Sequence, residues 1–350
     1  MKGAIIGYGV IASTGHAPAY LKMKQHAIVA VADPVPTRRA AAEQQIPGVR
    51  TFASHEELLA SASKLGLDFV DIATPPCDHL QIALAAAQRG LHVLCEKPIT
   101  TSLEQARTML RAARDNRVTI FPCHNYKHAP VVKEMRQAIQ SGRIGRIRSA
   151  TLTTFRTTNA KGTADWIVDW RRMRRYSGGG IVMDHGSHSC YLTFMFFGGA
   201  PPRSVAARTY RLDRTQPDEF DTEDNLCAAL TFDDGFAQMH LSWTAGVRKV
   251  IYTLQGNAGA VVVDEDEAQI FSEGRMERKT IVSKFDDASH TDWFTSMFDQ
   301  FAGDVARGIH VTDELKESYW CIATIEAIYR SAAQGAQDVP IDSSLTFLDA

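Results

Sequence analysis

The segment Gly7-Tyr8-Gly9-Val10-Ile11-Ala12 constrains this chain more than any other. It reads Gly-x-Gly-x-x-Ala, directly after the short apolar run Ala4 to Gly7 and at the start of a helical stretch. In such a strand–turn–helix unit the first glycine permits a tight turn. The second lets the backbone approach a pyrophosphate, and the small Ala12 lets the helix pack close to the strand. The helix N-terminus, with Val10 and Ile11, offers free N–H groups and a partial positive charge to phosphates. A glycine turn in some other α/β protein is the competing reading, and the position after a first strand argues against it.

Asp33 ends the second apolar run, in Val-Ala-Asp-Pro. A carboxylate there can accept hydrogen bonds from both adenosine ribose hydroxyls and would repel a 2′-phosphate, so NAD is expected rather than NADP. Arg38 and Arg39 follow and could soften that preference, although a solvated helix face is the plainer role for them. Thr74 and Pro75 follow the third run, and Glu96-Lys97-Pro98 follows the fourth. Both positions lie at the carboxyl edge of a parallel sheet, where ligands bind in doubly wound folds. Pro98 fixes the local backbone, and a cis bond there would aim the Lys97 side chain.

The first 122 residues alternate short apolar strands (Ala4–Gly7, Ala27–Ala32, Asp68–Ala73, Leu91–Cys95, Val118–Phe121) with helical patterns such as His79–Gln88 and Leu103–Arg114. That alternation indicates a parallel sheet covered on both faces. After about Cys123 the pattern changes. A helix over Ala129–Gln140 is followed by longer strands: Ile147–Phe155, Arg203–Tyr210, Asn225–Phe232, Phe236–Trp243, Lys249–Gln255 and Ala260–Val263. Asp233-Asp234-Gly235 and Asn257-Ala258-Gly259 are turn signals between them. Helices over Asp292–Arg307 and Glu314–Ala333 close the pattern. The expected fold class is α/β: a Rossmann dinucleotide-binding domain (1–122), then an α/β domain (123–350) with a large, mostly antiparallel sheet and helices on one side.

Composition narrows the function classes. A net charge of -2, with no basic tract, argues against nucleic acid as a partner. No apolar run approaches the roughly 18 to 20 residues of a membrane span, and the N-terminal residues do not read as a signal peptide. Six scattered cysteines without a Cys-x-x-Cys pair suit thiols in a reducing cytoplasm better than disulfides or zinc.

The second informative cluster is Ser177-Gly178-Gly179-Gly180-Ile181-Val182-Met183-Asp184-His185-Gly186-Ser187-His188. Three glycines give a flexible or closely packed backbone. On a helix starting near Asp184, Asp184 and His188 stand four residues apart and share a face. With Lys97 they form a proton-handling set. Oxidising an alcohol requires a base for the hydroxyl proton while hydride leaves, and histidine titrates in the right range. Aspartate and histidine also suit a metal, but no clear third ligand is found, so the expectation is none. His185 would point elsewhere on such a helix and have a structural role.

The order Gly-x-Gly-x-x-Ala, Glu-Lys-Pro, Asn125-Tyr126-Lys127, then Gly-Gly-Gly with Asp184 and His188 resembles the Gfo/Idh/MocA oxidoreductase family over nearly the whole chain. The resemblance implies catalytic roles for Lys97 and His188, Asp184 beside them at the substrate hydroxyls, and Asn125 near the nicotinamide or substrate. It also implies that the second domain is a substrate domain with an open sheet, and a homodimer or homotetramer through that C-terminal sheet. Lys127 stands where many members carry Arg. The family acts mainly on sugars, cyclitols and nucleotide sugars. Arg171, Arg172, Arg174 and Arg175 crowd together just before the glycine run. Such a cluster could hold a diphosphate through charge-assisted hydrogen bonds, or be a solvated or intersubunit basic loop. The expectation is therefore an NAD-dependent dehydrogenase acting on a nucleotide sugar resembling UDP-N-acetylglucosamine, giving a 3-keto sugar. A free sugar or inositol is the alternative, and a cofactor-binding regulator without turnover a further one. Lys97, Asp184 and His188 argue against the last, since a sensor needs no proton relay.

Overall fold

Short apolar runs separated by helices do assemble as a parallel sheet. A computed structural model describes residues 1–215, 217–283 and 290–349. Its first sheet has strands β1 (Lys2–Ile6), β2 (Ala27–Ala32), β3 (Arg50–Phe52), β4 (Phe69–Ile72), β5 (His92–Cys95) and β6 (Ile120–Pro122). Their order is β3-β2-β1-β4-β5-β6 and every pair is parallel. The strand order reverses between β1 and β4, which places a ligand crevice at the carboxyl ends of those strands. Side chains alternate as strand geometry requires: Ala4 and Ile6 enter one core, Ile5 the other.

The helix after the glycine turn contains a π-helical stretch at Ala12–His16 and continues as α1 (Ala17–Lys22). Four longer helices matter for the site: α2 (Leu103–Asn116), α3 (Ile181–Phe196), α4 (Thr291–Ala306) and α5 (Asp313–Ala333). The expected boundary at residues 122 and 123 does not describe how α4 packs. Its Phe294, Phe298 and Phe301 share a core with Ile5, Phe69 and Phe121 of the first sheet. Phe298 lies 5.4 Å from the Phe69 ring and Phe301 5.9 Å from Phe121. The amphipathic pattern of α4 shows that it needs an apolar partner but not which sheet supplies it.

The second sheet holds β7 (Ile147–Phe155), β8 (Ser204–Tyr210), β9 (Asn225–Thr231), β10 (Phe236–Ser242), β11 (Lys249–Gly256), β12 (Gly259–Asp264), β13 (Glu267–Ser272), β14 (Arg275–Thr280) and β15 (Val339–Pro340). The order is β14-β13-β12-β11-β7-β10-β9-β8-β15, with β7 and β10 parallel and the remaining pairs antiparallel. Along β9, Leu226, Ala228 and Leu230 are buried while Cys227, Ala229 and Thr231 are exposed. Helices α3 and α5 cover the buried face. β3, β13, β14 and β15 were not expected. β14 is Arg-Met-Glu-Arg-Lys-Thr, an edge strand whose charges discourage pairing with other chains and erase the apolar signal of a strand.

Candidate active site

The glycine turn is built as its sequence requires. Gly7 has φ +90°, and a Cβ there would sit 2.9 Å from the Ala73 carbonyl, so only glycine fits. A Cβ on Gly9 would meet nothing within 4 Å, leaving open space beside the backbone. Ala12 is fully buried against the sheet. Asp33 accepts from the Tyr8 N–H (2.7 Å) and the Val35 N–H (2.8 Å), one on each carboxylate oxygen. Each oxygen keeps acceptor capacity for a hydroxyl. Thr74 Oγ1 and Asn125 Oδ1 are buried with no hydrogen-bond partner among the described residues. An open glycine turn, a held carboxylate and two orphaned polar atoms around one crevice fit a dinucleotide. Glu96, expected to face the cofactor, turns inward: its Oε1 is 3.2 Å from His16 Nε2, and its Oε2 accepts from the Lys97 N–H at 3.1 Å.

The strand end at β5 delivers Lys97 to the helix carrying Asp184. Lys97 Nζ donates to Asp184 Oδ1 at 2.8 Å, and the Lys97–Pro98 bond is cis. The other Asp184 oxygen is 3.1 Å from His185 Nδ1, and Arg171 Nε approaches Oδ1 at 4.0 Å. Burial alone would raise the Asp184 carboxyl, but Lys97, His185 and Arg171 outweigh it and hold it well below the usual carboxylate range. His185 is therefore a partner of Asp184 rather than a bystander. One carboxylate oxygen of Asp184 faces Lys97 and Arg171, and the other faces His185, its neighbour on the helix.

His188 lies one turn further along α3. Its Nδ1 is 2.5 Å from the Tyr191 hydroxyl, and its ring rests 4.0 Å from Tyr126. Burial, then the charges of Lys97 and His185, push its pKa well below the ordinary histidine value. The imidazole is therefore neutral at neutral pH. Lys127, next to Tyr126, turns away to pair with Glu317 on α5, with Glu314 at 3.9 Å.

The glycine run is packed rather than flexible. A Cβ on Gly179 would reach 2.0 Å from the Tyr329 hydroxyl, and one on Gly180 would reach 1.8 Å from the Glu223 carbonyl oxygen. Glu223 Oε1 accepts from the Gly180 and Val182 N–H groups and from the Tyr329 hydroxyl. This buried carboxylate satisfies the free amides at the start of α3 and so fixes the rotation of the helix carrying Asp184 and His188. Nothing in the polar stretch around Glu223 marks it in the sequence. Gly180→Ala is expected to lower stability by roughly 1 to 3 kcal/mol through overpacking, and to lower turnover with it. Denaturant unfolding of the variant at wild-type midpoint, with wild-type turnover, would remove this role.

The arginine cluster divides. Arg171 stacks over Trp170 at 4.2 Å and faces Asp184. Arg172 is buried and donates to Asn159 Oδ1 at 2.7 Å. Arg174 lies over the Tyr329 ring, and Arg175 over Tyr176. Consecutive residues on short helical turns project in different directions, so the expected joint diphosphate grip of Arg171 and Arg172 is not assembled.

Residues 1–124 match the model of an oxidoreductase family with an NAD-binding Rossmann fold, and residues 132–262 match the GFO/IDH/MocA C-terminal domain. The chain is 30% identical over 214 residues to 1,5-anhydro-D-fructose reductase of Ensifer adhaerens. That match covers 61% of each chain, under two thirds of the relative's length. It is 24% identical to D-glucoside 3-dehydrogenase of Escherichia coli (strain K12), covering 96% of this chain and 97% of that one. A solved structure of levoglucosan dehydrogenase with NADH and levoglucosan superposes with a TM-score of 0.84 at 21% identity, covering 97% of this chain and 99% of the other.

Proposed function

Since the chain belongs to the Gfo/Idh/MocA oxidoreductase family, with its NAD-binding Rossmann fold, we propose that it interconverts a ring hydroxyl and a ketone on a free sugar, glycoside or cyclitol. The observation that carries this reading is the Lys97–Asp184 ion pair at the carboxyl edge of the first sheet, one helical turn from His188. The glycine turn and Asp33 would hold NAD by its pyrophosphate and adenosine ribose, and when bound it would supply the hydride acceptor. In the tautomer whose Nδ1 carries the proton, neutral His188 takes the hydroxyl proton at Nε2, and the Tyr191 hydroxyl pairs with Nδ1. Lys97 donates to the substrate oxygen and stabilises the charge that develops as its proton leaves. Asp184 keeps Lys97 in place and offers an acceptor to a neighbouring hydroxyl. Arg171, beside Asp184, bounds the substrate space.

The relatives favour an uncharged sugar over a nucleotide sugar: their names refer to anhydrofructose, glucosides and levoglucosan. The divergent arginines favour it too. The test is NADH absorbance with a panel of glucosides, levoglucosan and myo-inositol against UDP-N-acetylglucosamine. Turnover of the nucleotide sugar with none on the free sugars would overturn this choice. The uncovered face of the second sheet, with Phe236 48% exposed, suits a homo-oligomer contact. Light scattering should then report a dimer or tetramer, and a monomer would remove that part of the reading. Six unpaired cysteines suit a reducing, cytoplasmic setting. Among the described residues no helix is long and apolar enough to cross a membrane.

A further inference from the structure

The loop between β7 and the arginine cluster reaches back to the first sheet's domain. It is closed on itself by Gly162 N–H to Val168 O (2.7 Å) and rooted by Asn159 on Arg172. At its tip, Asp165 grips the helix that follows Asp33. Arg38 Nε and Nη2 both donate to Asp165 Oδ1, at 3.1 and 2.7 Å, and Thr37 Oγ1 donates to Oδ2 at 2.9 Å. Arg38 Nη2 also reaches Thr163 Oγ1. The remaining guanidinium nitrogen of Arg38 lies 3.7 Å from Asp33 Oδ2. These bonds, led by Arg38, hold the Asp165 carboxyl well below the usual carboxylate range.

An arginine beside the acidic residue after β2 is the kind of group that accommodates a ribose 2′-phosphate in dinucleotide-binding folds. Here that arginine is already occupied. Two carboxylates, Asp33 and Asp165, flank the Arg38 guanidinium, so its charge is already offset where a phosphate would need it. Arg39 does not replace it, because its Nη1 is turned back onto the Asp33 and Pro34 carbonyls. Asp165 is partly exposed, so its ion pair contributes little to stability. Its consequence is directional: it decides where Arg38 points.

We propose that Asp165, a residue of the substrate domain, is a cofactor-specificity determinant: by holding Arg38 it denies the 2′-phosphate its cation. The inference rests on the reading that the adenosine ribose sits at Asp33, and it adds a determinant about 130 residues away in the sequence that no glycine-turn motif would reveal.

Binding of 5′-AMP and of 2′,5′-ADP to the full chain, measured by calorimetry without turnover, separates the parts. Wild type should prefer 5′-AMP. Asp165→Asn should raise 2′,5′-ADP affinity about tenfold, the scale of one charge-assisted contact, while 5′-AMP changes little. That gain should disappear when Arg38→Ala is added. Arg38→Ala alone should leave 2′,5′-ADP binding as weak as in wild type, since its guanidinium is already taken, and it tests the inference should Asp165→Asn fold poorly. An unchanged nucleotide ratio in Asp165→Asn, a gain that survives Arg38→Ala, or a loss in Arg38→Ala alone would each overturn the inference. A wild type that prefers 2′,5′-ADP would instead count against the Asp33 reading, while the change from wild type to Asp165→Asn still judges Asp165.

Discussion

Lys97→Met should lose about 10²- to 10⁴-fold in turnover while dinucleotide affinity stays within a few fold, the scale expected for a group that assists proton transfer in the transition state. The reason is geometric. Lys97 is the cation on Asp184 at 2.8 Å, and the glycine turn that would hold a dinucleotide is elsewhere on the sheet. Removing the ammonium leaves Asp184 with His185 and a more distant Arg171. The pH profile gives a second readout. In the wild type, burial and the Lys97 charge push His188 down, so kcat/KM should be flat through the ordinary histidine range and fall only at more acid pH, as His188 gains a proton. Without the Lys97 charge, His188 is easier to protonate, and the acid limb of the residual activity should move to higher pH. Near-normal turnover in Lys97→Met, or an acid limb that stays where it was, would take Lys97 out of this role. His188→Ala should lose turnover on the same scale.

Much of this site is legible in the sequence because its parts follow strand ends. Gly7, Asp33, Thr74 and Lys97 each come directly after a short apolar run, and the parallel sheet carries all such positions to one edge. The helical spacing of Asp184 and His188 was also readable, although α3 begins at Ile181 rather than near Asp184. What the sequence hides are contacts between segments far apart. Glu223 on the amides of α3, Asp165 on Arg38 and α4 on the first sheet join elements whose local patterns give no hint of the partner. The Arg171 to Arg175 run shows the opposite failure. Its charge density is plain, but direction is set by short helical turns, and each side chain finds a different neighbour.

One long-range contact did leave a trace. β4 and its flanks read Asp-Phe-Val-Asp-Ile-Ala, and Asp71 stands inside a strand buried on both faces. A buried carboxylate needs a partner. That partner is His16, at the end of the π-helical stretch, where an altered turn shifts the register of the following side chains. His16 Nδ1 lies 2.9 Å from Asp71 Oδ2, which also accepts from the Tyr20 hydroxyl at 3.0 Å. His16 Nε2 meets Glu96, whose other oxygen holds the Lys97 N–H, and Phe294 of α4 covers the ring at 4.1 Å. A hydrogen-bonded chain thus runs from the middle of the first sheet to the backbone of Lys97.

His16→Gln should therefore destabilise the protein by roughly 3 to 5 kcal/mol, the usual cost of leaving buried charges without their partner. Burial alone would lower the His16 pKa, but Asp71 and Glu96 outweigh it and raise it to about 10. The sign follows. A folded-state pKa above the unfolded value of about 6.5 means the native state binds the proton more tightly. The contribution of His16 is fully present below that unfolded value and is lost as pH rises through about 10. The difference in stability between wild type and His16→Gln should accordingly shrink between neutral and alkaline pH. Denaturant titrations at several pH values measure it, and the imidazole nitrogen shifts should show a protonated ring at neutral pH. Adding Asp71→Asn to His16→Gln should recover part of the loss, because the pair is coupled and one of the stranded charges is then gone. A gap that widens toward alkaline pH, or a neutral His16 ring at pH near 7, would mean that the carboxylates rather than the histidine carry the proton. The same variant should also lower turnover, since Glu96 would no longer be held against the backbone of Lys97. Full turnover in a folded His16→Gln protein would confine His16 to stability.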